Sequence, residues 1–124
     1  MIKAIFFDVD GTLVSFAQKF LPDQLLADLP ALRERGIKIM ISTGRALQDL
    51  ENTGMLRGVE FDGYVTLNGQ YCCDADGTAY RDAPICLEDL RGAYEVLKAN
   101  PQLPALMEGS GESYLTQIND RVRE

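Results

Sequence analysis

The chain has 124 residues, enough for one small domain and tight for two packed ones. Hydrophobic residues make up 46%, which supports a core and excludes wholesale disorder. Twelve Lys and Arg against 19 Asp and Glu leave a net charge of −7, and there is no histidine, so a basic nucleic-acid or anionic-membrane binder, an imidazole base and an imidazole-ligated zinc site are excluded.

Ile2 to Phe7 is a short β-branched and aromatic run, which predicts a strand buried on both faces, as in a parallel sheet. It stops at Asp8-Val9-Asp10-Gly11-Thr12. Pro22 and Asp23 mark a helix start, and Leu25, Leu26, Leu29 and Leu32 follow at helical spacing. Pro30 inside that pattern predicts a kink or interruption, and Gly36 marks the end. Ile37 to Ile41 reads as a second buried strand, closed by Ser42-Thr43-Gly44-Arg45. A second helix is expected over Ala46 to about Leu50, and a third strand over Tyr64 to Leu67, ending at Asn68-Gly69. This alternation predicts an α/β fold with a three-stranded parallel sheet. Polar, glycine-bearing clusters sit at the C-terminal ends of all three strands, where open α/β sheets bind ligands.

From Gln70 the texture changes. Tyr71 to Cys73 and Thr78 to Arg81, joined through Asp76-Gly77, read as a β-hairpin. Leu87 to Ala99 reads as an amphipathic helix, with Leu90, Tyr94 and Leu97 expected in a core. Pro101 and Pro104 stop it. Leu103 to Met107 and Ser113 to Ile118 are expected as two further strands, the start of an α+β module. Cys72, Cys73 and Cys86 form no CxxC and are expected to be reduced packing residues in a cytoplasmic protein. No signal peptide is legible, and no stretch approaches the ~20 apolar residues of a membrane span.

Asp8 and Asp10 are two residues apart at a strand end, so the strand period sends both side chains to one side. Two close carboxylates repel unless a proton or a cation neutralises the pair. One of them suits a hard cation such as Mg²⁺ and nucleophilic attack; the other suits proton transfer. Gly11 permits a tight turn that brings N–H groups near an anion. An acidic chain binds phosphate only with such help from a metal or from backbone N–H groups.

Asp8-Val9-Asp10-Gly11-Thr12-Leu13 after a hydrophobic strand resembles the first motif of the haloacid dehalogenase-like (HAD) superfamily. Ile39 to Arg45 resembles its second motif, in the Thr-Gly-Arg form of Cof-type phosphatases. Leu67-Asn68-Gly69 before a hairpin is similar to Cof-type members just ahead of their α+β cap. The resemblance implies a Rossmann-like three-layer sandwich with a parallel sheet over residues 1–84 and the beginning of an α+β cap over 85–124. It implies a Mg²⁺-dependent phosphatase of small phosphorylated metabolites that works through an aspartyl-phosphate. Asp8 is then the nucleophile and Asp10 the acid and base. The Asp8 carboxylate and the Asp10 carbonyl hold the metal, and Gly11, Thr12, Thr43, Gly44 and Asn68 surround the phosphoryl group. The alternatives are a phosphotransferase or phosphomutase of the same superfamily, or a non-catalytic phosphate-binding or assembly protein that retains the fold.

The family's later lysine and acidic motifs are missing, and the sequence ends at Glu124 inside the expected cap. The expectation is an N-terminal fragment whose first strand becomes an exposed apolar edge, able to associate with another copy. Several residues have a plainer reading. Thr43 and Arg45 suit a helix cap, with Arg45 structural or facing the cap. Asn68 either lines the site or ends a strand. Asp74 to Gly77 lacks calcium-loop spacing and suits a hairpin turn.

Overall fold

The computed structural model describes residues 1–109 and 111–116. Its apolar runs become strands β1 (Ala4–Phe7), β2 (Lys38–Ser42) and β3 (Gly63–Thr66), and the hairpin becomes β4 (Tyr71–Asp74) and β5 (Ala79–Asp82). The helices are α1 (Asp23–Glu34), α2 (Leu47–Thr53) and α3 (Leu87–Ala99), followed by a small hairpin of β6 (Leu106–Glu108) and β7 (Ser113–Leu115). The first five strands form one sheet in chain order. β1, β2 and β3 pair in parallel, and β3, β4 and β5 pair antiparallel. This is a mixed, Rossmann-like α/β sheet, with the expected hairpin built into its far side. Of the expected strand Ser113 to Ile118, Ile118 lies outside the described residues.

The core forms where β2 alternates. Ile39 and Ile41 are fully buried against Leu29 of α1, Leu50 of α2, Phe61 and the loop residues Val9, Leu13, Val14 and Leu21. Gly36 ends α1 in the left-handed conformation, which glycine adopts without a Cβ clash. Its φ is 75°, its N–H donates to Arg33 O at 2.8 Å, and Ile37 N–H donates to Leu32 O at 3.1 Å. Below the strands, Asp62 accepts from Ile39 N–H (3.0 Å) and Lys38 (3.1 Å) and pairs with Arg33 (3.3 Å). Burial pushes the Asp62 carboxyl up, but these donors outweigh it and hold it below the usual aspartate value.

Four expectations are corrected. β1 is not buried on both faces: it is the edge strand that the family resemblance implied for a fragment, and Phe6 stays 58% exposed on the face opposite Ile39 and Ile41. Pro30 does not interrupt α1, which runs on to Glu34; a proline costs a helix one N–H donor, and here the packing of Leu29 outlasts that loss. Leu90, Tyr94 and Leu97 are not core residues: none is fully buried, and their face of α3 lines an open cleft opposite β6 and β7. Cys86 is exposed and caps α3 through its sulfur, accepting from Asp89 N–H at 3.5 Å, whereas Cys72 and Cys73 are buried as expected. Burial also pushes the Cys73 thiol up, away from the thiolate form.

Candidate active site

The site starts from what ends β1. Val9 is fully buried, while its neighbours Asp8 and Asp10 stay outside the core, Asp8 exposed and Asp10 half-buried. The chain then doubles back: Gly11 N–H donates to Val14 O (2.8 Å) and Val14 N–H to Val9 O (2.9 Å). Gly11 needs its missing side chain twice over. Its φ is 79°, and a Cβ there would lie 2.8 Å from the Phe16 ring. Thr12 N–H is also turned inward, onto Val9 O at 3.3 Å. The N–H groups of Gly11 and Thr12 therefore close the turn that follows the two aspartates.

The loops after β2 and β3 are tied to each other. Asn68 N–H donates to Thr43 O (3.3 Å), and Leu67 N–H to Arg45 O (3.1 Å). To make these bonds Leu67 and Asn68 adopt φ values of 49° and 54°. Left-handed backbone at a leucine costs roughly 1–2 kcal/mol, and tertiary bonds must hold it. Gly44 fits beside Asn68, whose Oδ1 would lie 3.2 Å from a Cβ at position 44. Thr43 is buried, and its hydroxyl accepts from Arg45 N–H at 3.2 Å. Thr43 is thus not the N-cap of α2; that position falls to Ala46.

Arg45 joins the two halves of the mouth. Its Nε donates to Asp10 Oδ2 at 2.6 Å and its Nη2 to Asp10 Oδ1 at 2.8 Å, a bidentate fork. Nη1 donates to Asp49 Oδ2 at 2.5 Å, one turn along α2. The Arg45 fork holds the Asp10 carboxyl below its usual value against the opposing effect of burial. Asp10 in turn raises the Arg45 guanidinium further above its ordinary range. Arg45 is therefore tied to Asp10 rather than to a cap. Neither the Asp10 partnership nor Asp49 was visible as a site feature in the sequence, although the i,i+4 spacing of Arg45 and Asp49 is the signal for the shorter of the two links.

Among the described residues no group of three or more His, Cys, Asp or Glu side chains converges as a metal cage. The donors at the end of β1 are hard oxygens on an exposed turn. They fit Mg²⁺, which is usually held by one or two carboxylates with water and substrate phosphate completing its shell. Gly44 and Asn68 also line a cleft of about 820 Å³ that continues to Leu90 and Tyr94 of α3 and to Met107 and Glu108 of β6. The mouth of the sheet thus opens towards the C-terminal elements.

A family model described as haloacid dehalogenase-like hydrolase matches residues 5–124. A Streptococcus pyogenes protein named for phosphatase and peptidyl-prolyl cis-trans isomerase activities is 31% identical over 98% of this chain, which spans 25% of that relative. A HAD-superfamily phosphatase from Bacteroides thetaiotaomicron is 32% identical with a TM-score of 0.82, covering 99% of this chain and 44% of its own. A HAD subclass IIB sugar phosphatase is 30% identical with a TM-score of 0.77, covering 98% of this chain and 46% of its own. The chain therefore spans less than half the length of each of these relatives.

Proposed function

The chain belongs to the haloacid dehalogenase-like hydrolase family, and from that premise we propose that it carries the phosphoryl-transfer site of a Mg²⁺-dependent phosphatase of small phosphorylated metabolites. The observation that carries this reading is the meeting of three strand ends: Asp8 and Asp10 after β1, Thr43 and Gly44 after β2, and Asn68 after β3, linked by Arg45–Asp10 and Asn68–Thr43 hydrogen bonds. Residues 1–84 form the core in this reading, and 85–124 begin the cap.

In this mechanism an Asp8 carboxylate oxygen attacks phosphorus, and the bond from phosphorus to the ester oxygen breaks. Once its carboxyl has taken up a proton, which it does only out of the Arg45 fork that favours the ionised form, Asp10 delivers that proton to the leaving oxygen. Asp10 then takes a proton from a water that attacks phosphorus, which releases inorganic phosphate and restores Asp8. The Thr43 hydroxyl and the Gly44 N–H hold the phosphoryl oxygens, with Gly11, Thr12 and Asn68 shaping the pocket around them. The Asp8 carboxylate and the Asp10 carbonyl would hold Mg²⁺, which when bound supplies charge neutralisation for an anion attacking an anion. The sugar phosphatase among the relatives supports a sugar-phosphate-like substrate.

The test is hydrolysis of p-nitrophenyl phosphate with and without Mg²⁺. The expected result is turnover that EDTA abolishes and that Asp8→Asn lowers by about 10⁴-fold or more. An unchanged rate in Asp8→Asn overturns the assignment. One observation favours a second reading, a non-catalytic phosphate-binding protein: Lys98, the lysine of the α3 region, is engaged with Glu95 at 3.3 Å and lies over the Tyr94 ring. Phosphate binding without turnover would select it. A phosphotransferase or phosphomutase would instead pass the phosphoryl group to a second alcohol. The free thiols support a reducing, cytoplasmic setting. The open edge of β1 supports self-association, which sedimentation of the purified chain would detect. No described helix is long and apolar enough to cross a membrane.

A further inference from the structure

We propose that Arg45 is a positioning residue that latches Asp10 and releases it when a phosphoryl anion arrives. The inference rests on the phosphoryl site proposed above and adds to it a device that couples anion binding to the freedom of Asp10.

Both oxygens of Asp10 are engaged by one edge of the Arg45 guanidinium, Nε at 2.6 Å and Nη2 at 2.8 Å. The fork takes one lone pair on each oxygen and fixes the plane of the carboxylate, so Asp10 turns towards a leaving group or a water only by loosening at least one of these bonds. The guanidinium edge that holds Asp10 has the geometry that also matches two oxygens of a phosphoryl group. Arg45 stands directly after Thr43 and Gly44, and its own N–H is bonded to the Thr43 hydroxyl at 3.2 Å. An anion held by that loop would be bound by the residues next to the same arginine in the chain.

The latch is built to be reversible. The side chains of Arg45 and Asp10 keep 32% and 37% of their surface exposed, so water competes for the pair and it is weak for its geometry. The third contact, Nη1 to Asp49 at 2.5 Å, comes from α2 rather than from the catalytic turn. Asp49 is a separate anchor about which the guanidinium pivots from Asp10 to the anion without losing every partner. With Asp10 released, its carboxyl is free to take up a proton and pass it on, and the arginine has moved to where negative charge has entered.

The experiment uses the full chain with Mg²⁺ and inorganic phosphate as the probe, and reads phosphate affinity by calorimetry and the Arg45 Nε–H signal by ¹H–¹⁵N NMR. Arg45→Gln should weaken phosphate binding by about tenfold, and Arg45→Lys, which keeps the charge but not the fork, should recover part of it. Asp10→Asn removes a negative charge and should tighten binding in any background. The latch predicts that this gain is about tenfold larger with Arg45 present than in Arg45→Gln, because only then is a competitor for the arginine removed. The Arg45 Nε–H signal should shift on phosphate saturation in the parent protein. Phosphate binding with equal Asp10→Asn gains in the two backgrounds and an unmoved Nε–H signal would overturn the latch and leave the phosphoryl site standing. No phosphate binding in any well-dispersed variant would overturn both.

Discussion

The two halves of the described chain answer the same kind of sequence pattern differently. Among the described residues, those before β5 contain every buried hydrophobic side chain, from Val9 to Cys73. Beyond them, α3 has an apolar face as regular as that of α1, yet Leu90 remains 37% and Tyr94 51% exposed. Amphipathic spacing states which face of a helix needs a partner; it does not supply the partner. α1 finds one in Ile39 and Ile41 of a parallel sheet. α3 meets a two-stranded hairpin across an open cleft, and two strands alone offer little surface to bury.

Substitutions in the two halves sharpen this contrast. Leu29 is 1% exposed, so Leu29→Ala should lower the unfolding free energy by about 2–5 kcal/mol in urea titrations. Asp62→Ala follows at about 1–3 kcal/mol, because Ile39 N–H, Lys38 and Arg33 lose their common acceptor beneath the sheet. Its pH dependence has a definite sign. The native Asp62 carboxyl titrates lower than in the unfolded chain, so the unfolded chain binds more protons as acid is added. The stability it contributes is complete above about pH 4, the ordinary aspartate range, and fades as pH falls through the lower native value. Asp62→Asn should therefore flatten the acid side of a plot of urea midpoint against pH.

Gly36→Ala isolates one backbone cost in the first half. No atom lies within 4 Å of the new Cβ, so strain at φ 75° alone should cost about 1–2 kcal/mol, read as a fall in Tm. The smallest effect is expected in the second half, where Leu90→Ala should stay within about 0.5 kcal/mol by the same urea titration. A loss at Leu90 comparable to that at Leu29 would break the comparison and show that the α3 face is covered in solution.

Much of the fold was legible because its signals are local. Pro22 and Asp23 opened α1, Gly36 closed it, and Asp76-Gly77 turned the β4–β5 hairpin, each through the backbone preferences of a few neighbouring residues. The edge position of β1 was legible only through the family resemblance. Neither the survival of α1 through Pro30 nor the sulfur cap of Cys86 followed from spacing, since each depends on what the rest of the fold provides.

The sequence by itself determined the strand and helix periods, the acidic turn after β1 and the polar ends of β2 and β3. All of these are set within a few residues by sterics and by the burial of one face. Only the tertiary structure decided that Arg45 grips Asp10 from 35 residues away and that Leu67 is held at positive φ by Arg45 O. Those contacts arise from the pairing of β1, β2 and β3, which brings distant loops to one end of the sheet. No local pattern records which side chains will then meet.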